Sequence, residues 1–216
     1  MNPEKAKYLA ENLELRSRTD RLWLNNPVVM QGLGLAPLVV AATTGRNALI
    51  LAMAVALLLT PTRLAGALLG GVLPRRFSIF YYAGVACLLY IPIYYACLEV
   101  FGVGIRQVGI YLPLLVMDQL TIRRYAQEKA EKPLRALRRG IAITVGYGMV
   151  LLLVGFLREF LAAGTLLDEP VLSVRLFPLA AQPAGGFLLV GAICAAWRGC
   201  IRWYKKHVNM EAKRGV

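Results

Sequence analysis

The chain is short of charge, shorter still of acid, and nearly without histidine. Of its 216 residues 17% are charged, and 25 Lys and Arg stand against 12 Asp and Glu. Soluble domains carry about 25% charge and roughly 45–50% apolar residues. Here the apolar share is 58% and the mean hydropathy +0.56, which argues against a soluble globular domain. The single histidine, His207, follows Lys205 and Lys206 beyond the last apolar run, so acid–base catalysis near neutral pH has few candidates. Four cysteines, Cys87, Cys97, Cys194 and Cys200, form no CxxC pair and no other metal-ligand spacing, which disfavours a disulfide framework or a zinc knuckle. Each lies in an apolar segment, where an inert buried thiol is expected. No Walker loop, dinucleotide fingerprint or hydrolytic triad is present. Residues 1–26 lack the apolar core of a signal peptide. They are expected to form a cytoplasmic leader, an amphipathic helix laying Tyr8, Leu15, Leu22 and Trp23 on the membrane surface.

What the chain has instead is long apolar runs. A hydrocarbon core about 30 Å thick needs roughly 20 apolar residues per straight helix. Six segments are candidates: 27–44, 47–73, 77–101, 103–120, 140–161 and 184–203. The first is interrupted by Gly32, Gly34 and Pro37, the fourth by Gly109 and Pro113; Pro61 is a kink site in the second. If successive segments cross in alternate directions, one side collects the N-terminal leader, Arg75 and Arg76, the basic residues from Arg123 to Arg139, and Lys205, Lys206, Lys213 and Arg214. The other side receives little besides Arg46, Arg106 and Arg175. By the positive-inside rule both termini are cytoplasmic. This asymmetry explains the net charge of +13 without any nucleic acid.

The first and fourth segments echo each other. Gly34-Leu35-Ala36-Pro37-Leu38-Val39-Val40 is similar to Ile110-Tyr111-Leu112-Pro113-Leu114-Leu115-Val116. Three spans separate the two copies, so the second enters from the opposite side. The fold expected is an all-α integral membrane protein of six transmembrane segments, two inverted three-span repeats with broken first and fourth spans. Its bounds are a leader at 1–26, a membrane domain at 27–204 and a basic tail at 205–216. Broken spans at matching positions point to a midplane site, and the backbone they free must face protein or a water-lined cavity.

Several stretches resemble the paired membrane subunits of Rnf and Nqr electron-transfer complexes. They are NNPVVMQGLGLAPLVVAATT (25–44), IYLPLLVMDQ (110–119), GFLREFLAAGTL (155–166) and QPAGGFLLVGA (182–192). The LRExxxxGTL pattern and the cytoplasmic leader are closer to the RnfE/NqrD branch than to RnfA/NqrE. The resemblance implies a bacterial inner-membrane protein, paired with a paralogous subunit inside a larger complex that translocates ions. It also implies cysteines from both subunits holding an iron–sulfur cluster, through GLCPL in the first half and an Asn-Cys pair in the second. This chain departs at both places: Ala36 stands at the first cysteine and Asp118-Gln119 at the Asn-Cys pair. Clusters are held by thiolates; a methyl group is no ligand and a glutamine amide a poor one. No cofactor is therefore expected on this chain, and a cluster or flavin is left to partner subunits.

Two further features stand out. Asp118 is an acid on a broken span, where insertion costs about 2.5–3.5 kcal/mol. It is either a proton or cation site, or a capping or hydrated carboxylate beside Arg123 or Arg124. Arg158 and Glu159, near the outer end of the fifth span, are expected to be structural, as an ion pair or a helix-end anchor. The leading reading is a membrane subunit of an Rnf/Nqr-type complex that acts as scaffold or ion-path component without its own cluster ligands. It is not expected to be an enzyme alone. The alternative is a divergent small transporter, channel or assembly protein on the same fold.

Overall fold

The computed structural model describes residues 3–69, 77–117 and 132–214. Asp118, Gln119, Arg75, Arg76, Arg123, Arg124 and Lys129 lie outside these residues. The leader is helical, α1 (Pro3–Thr19), and leaves Tyr8, Leu15, Leu22 and Trp23 exposed. Asp20 then turns the chain, its carboxylate accepting from the N–H groups of Leu22, Trp23 and Leu24 at 2.9, 3.2 and 3.4 Å. The first broken segment follows as α2 (Pro27–Gln31) and a π-helical turn (Pro37–Ala41).

Two long helices come next, α3 (Gly45–Leu69) and α4 (Ser78–Phe101), with Pro61 and Pro92 inside them. A 3-10 turn (Gly102–Gly104) leads to the second broken segment, α5 (Ile105–Val108) and α6 (Tyr111–Met117). The chain closes with α7 (Pro133–Ala163), a two-residue hairpin of β1 (Thr165–Leu166) and β2 (Glu169–Pro170), a 3-10 turn (Pro178–Ala181) and α8 (Pro183–Arg214). The hairpin register pairs Thr165 with Pro170 and Leu166 with Glu169. Its two turn residues, Leu167 and Asp168, both have positive φ, 54° and 69°, as a primed two-residue turn requires.

Among the described residues four helical stretches are long and apolar enough to cross a membrane: Gly45–Leu68, Phe80–Val108, Pro133–Ala163 and Pro183–Ala212. The protein is therefore multi-pass, and among the described residues its regular structure is helical but for the hairpin. α7 and α8 begin before the predicted spans, and α8 runs well past its own, because Lys and Arg are good helix formers and nothing in their flanks breaks the helix. α3 lies at the centre, packed chiefly along α7 and then α4. Leu51, Val55 and Leu58 of α3 and Ile143, Val150 and Val154 of α7 belong to the buried core. The approach of α3 to α7 depends on Gly155, where a Cβ would collide with the Ala48 side chain and come within 3.0 Å of the Thr44 carbonyl. α1 packs on α8, so the two ends of the chain meet. Among the cysteines only Cys97 is buried within the chain; Cys87 and Cys200 are exposed on the faces of their helices, since an apolar helix in a bilayer need not bury its thiols against protein.

Candidate functional site

The sequence marks the two broken segments as the place to look, and the first of them is fastened group by group. Asn26 precedes proline at the first helical position, the arrangement that starts a helix with a side-chain cap. Its Oδ1 accepts from Val28 and Val29 N–H at 3.0 and 3.3 Å, and its Nδ2 donates to the Gly146 carbonyl at 2.8 Å and the Leu22 carbonyl at 3.2 Å. Asn26 is fully buried, and every one of these bonds is made in the chain interior or at its edge. α2 ends on Gly32, left-handed at φ 65°, whose N–H reaches the Val28 carbonyl at 2.8 Å while that of Leu33 reaches Pro27 at 3.2 Å. The next two carbonyls, Val29 and Met30, accept from Arg198 on α8 at 2.9 and 3.3 Å. The carbonyls of Pro27, Val28, Val29 and Met30, at the end of a five-residue helix, thus all have donors from the chain itself.

Gly34 follows at φ 70°, and its carbonyl accepts from the Tyr147 hydroxyl at 3.2 Å. Only glycine fits: a Cβ there would lie 2.8 Å from that hydroxyl oxygen. Ala36 opens the π turn and is exposed. Beyond it, the carbonyls of Val39 and Ala42 both accept from Nη1 of Arg158, at 2.5 and 3.2 Å. The same guanidinium donates through Nε to Ala180, at 2.9 Å, and through Nη2 to Ala181 and Gln182, both at 3.3 Å. Arg158 has no exposed surface. Gly186 makes room for it, since a Cβ there would meet the Val39 carbonyl at 2.8 Å and the guanidinium carbon at 3.0 Å. That contact accounts for the second glycine of the QPAGG stretch.

Arg158 and Glu159 do not serve each other. Neighbours on a helix point about 100° apart, and each charge goes to a different set of groups. Glu159 Oε2 accepts from Gly45 N–H at 2.6 Å, at the positive end of α3. Its Oε1 accepts from the Thr165 hydroxyl at 3.0 Å and Asp168 N–H at 2.8 Å, fixing the hairpin. The ion pair at this end is instead Arg46 with Asp168, 4.0 Å apart and largely exposed.

The second broken segment is built otherwise. Gly109 takes φ 54° and ψ −131°, a backbone state that needs glycine. Its N–H reaches the Ile105 carbonyl at 3.4 Å, and Leu114 N–H reaches Ile110 at 3.1 Å. Ile110 is 73% exposed, and Pro113 and Leu114 are also exposed. α6 packs against the π turn, so the two breaks adjoin within one chain.

A cluster site can be tested against these residues. Ala36 offers a methyl group, no described cysteine lies on either broken segment, and no group of three His, Cys, Asp or Glu comes together among the described residues. The residues present do not fit an iron–sulfur cluster. What the first break can do is hold: a buried guanidinium and a buried carboxylate, one on carbonyls and one on N–H groups.

Residues 15–194 match the model of the family described as Rnf-Nqr subunit, membrane protein. The chain belongs to this family. It is 33% identical over 192 residues to the E subunit of the ion-translocating oxidoreductase complex of Aliivibrio fischeri (strain MJ11), covering 81% of this chain and 84% of that protein. It is 30% identical over 197 residues to the corresponding protein of Pseudomonas paraeruginosa (strain DSM 24068 / PA7), covering 82% and 80%. The Klebsiella pneumoniae (strain 342) protein of the same name is 30% identical over 191 residues, covering 81% and 82%. Within this Rnf-Nqr family member, sequence reasoning missed Asn26, Tyr147 and Arg198 as parts of the site. The Asn-Pro pair was a legible signal for the first; a tyrosine and an arginine inside apolar helices carry no address for their distant carbonyls.

Proposed function

We propose that the protein is the E-type membrane component of an ion-translocating electron-transfer complex, serving there as scaffold without cluster ligands of its own. The observation that carries this reading is the exposed methyl of Ala36 at the rim of a broken segment held by Asn26, Tyr147, Arg158 and Arg198. The frame that would present a ligand is kept, and the ligand is not. Six crossings in two inverted halves suit the element order, with α2 and the π turn, α3 and α4 in one half and α5 with α6, α7 and α8 in the other. The contact between the π turn and α6 supports the two breaks meeting near the membrane centre. The packing of α1 on α8 supports both termini on one side, and the basic residues assign that side to the cytoplasm of a bacterial inner membrane. A paralogous subunit is the natural cover for exposed Ala36, Ile110 and Leu114. Asp118 remains the one acid placed by sequence to take part in an ion path.

The test is co-purification from native membranes through a tag on this chain, with metal and flavin analysis. The expected result is a sibling subunit with cysteines on both its broken segments, flavin in the assembly, and no iron on the chain purified alone. Stoichiometric iron on the isolated chain, with the electron paramagnetic resonance of a cluster, overturns the reading.

A further inference from the structure

Where α1, the start of α7 and the end of α8 come together, the protein holds an open cavity of about 720 Å³. Among the described residues its rim carries four arginines, Arg16, Arg135, Arg138 and Arg139, and one carboxylate, Asp20. Asp20 is already committed to three backbone N–H groups, at 2.9 to 3.4 Å. Arg135 and Arg138 share one helix face at i and i+3, a spacing at which like charges repel. Such a face calls for an anion. The floor is apolar, formed by Leu9, Leu13, Leu24 and Ala142. Inorganic phosphate would leave that floor unused, whereas a glycerophospholipid would cover it.

Depth agrees with this. α7 has 31 residues, about 46 Å at 1.5 Å per residue, against a hydrocarbon core of about 30 Å. Its uncharged run, Gly140–Leu157, starts one residue after Arg139, so Arg135, Arg138 and Arg139 stand at headgroup level. Basic pockets between membrane helices take anionic headgroups. We infer that this cavity is a binding site for the phosphate of an anionic phospholipid, which clamps α1 onto the membrane domain.

The full chain, purified in detergent, would be titrated with phosphatidylglycerol, phosphatidylcholine or inorganic phosphate and read by native mass spectrometry. Phosphatidylglycerol should be retained over phosphatidylcholine by on the order of tenfold. R135Q/R138Q should lose that preference while its melting temperature in detergent stays put. K205Q/K206Q, which removes the same charge at the same end outside the cavity, should keep it. Should R135Q/R138Q fail to fold, R16Q on α1 should still lower the preference. Equal retention of the two lipids, equal loss in both double variants or an unchanged R16Q overturns the proposal. So does displacement of phosphatidylglycerol by millimolar phosphate, which would make this a free-anion site.

Discussion

The two broken segments open with the same sequence pattern and end in opposite states. In the first, residues 27–44, the exposed backbone of the break is answered from three other places: Tyr147 and Arg158 on α7, Arg198 on α8, and the Asn26 cap. In the second, residues 105–117, the bonds described at Gly109 and Leu114 run along the segment's own backbone, and Ile110 and Leu114 face outward. A break inside a membrane must satisfy its freed groups. One segment does so with buried charges from its own chain, which makes it rigid. The other keeps an open apolar side, as a surface waiting for a neighbour would.

The sharpest way to break this contrast is Arg158→Ala. Five carbonyls on two separate elements, the π turn and the 178–182 stretch, lose their donor together. Each buried acceptor left without a donor costs about 1–3 kcal/mol. The isolated chain should therefore fail to accumulate in membranes, or melt far below the wild type in detergent. A variant that melts normally would mean that the first break is not held by this guanidinium. Next in size is Asn26→Ala, which removes a cap of about 1 kcal/mol and a second, buried bond to the Gly146 carbonyl worth about 0.5–1.5 kcal/mol more. A clear but smaller drop in melting temperature is expected. Tyr147→Phe keeps the ring and removes the neutral bond to Gly34, about 0.5–1.5 kcal/mol. If it matched Asn26→Ala, the carbonyl of Gly34 would matter more than the start of α2.

Much of this is open to a reading of the residues, and the part that is not has a physical cause. The breaks at Gly34, Pro37, Gly109 and Pro113 are backbone statements, and backbone chemistry is written locally. The family pattern at 155–166 draws the eye to Arg158 and Glu159, yet an ion pair is one of the roles it suggests for them. Local spacing shows that two charges are neighbours; it cannot show that a helix turn sends one to Val39 and the other to Gly45, more than a hundred residues away. Arg198 shows the same limit. Its place near the end of an apolar span predicts snorkelling toward water; the residue is exposed, and its donors go as well to Val29 and Met30, which the sequence does not announce. The distinction between a pinned break and an open one is invisible in the sequence for this reason: it depends wholly on long-range partners.

The smallest effect is the most telling one for the second segment. Ile110 is 73% exposed, so Ile110→Ala removes little packing from the chain itself, and substitutions of this kind usually stay within about 0.5 kcal/mol. The melting temperature of the purified chain should be unchanged. In the assembled complex the same residue would sit where a neighbouring protein covers the break, and truncating a buried aliphatic anchor costs about 2–5 kcal/mol. Co-purification of the sibling should then fall while the chain itself remains folded and present in the membrane. Arg158→Ala predicts the reverse order of events, loss of the fold first and of the partner as its consequence. If Ile110→Ala lowered the melting point of the lone chain as far as Asn26→Ala does, the second break would be as closed as the first. If it left the assembly untouched, the open side would face lipid, and the pairing surface would have to lie elsewhere on the bundle.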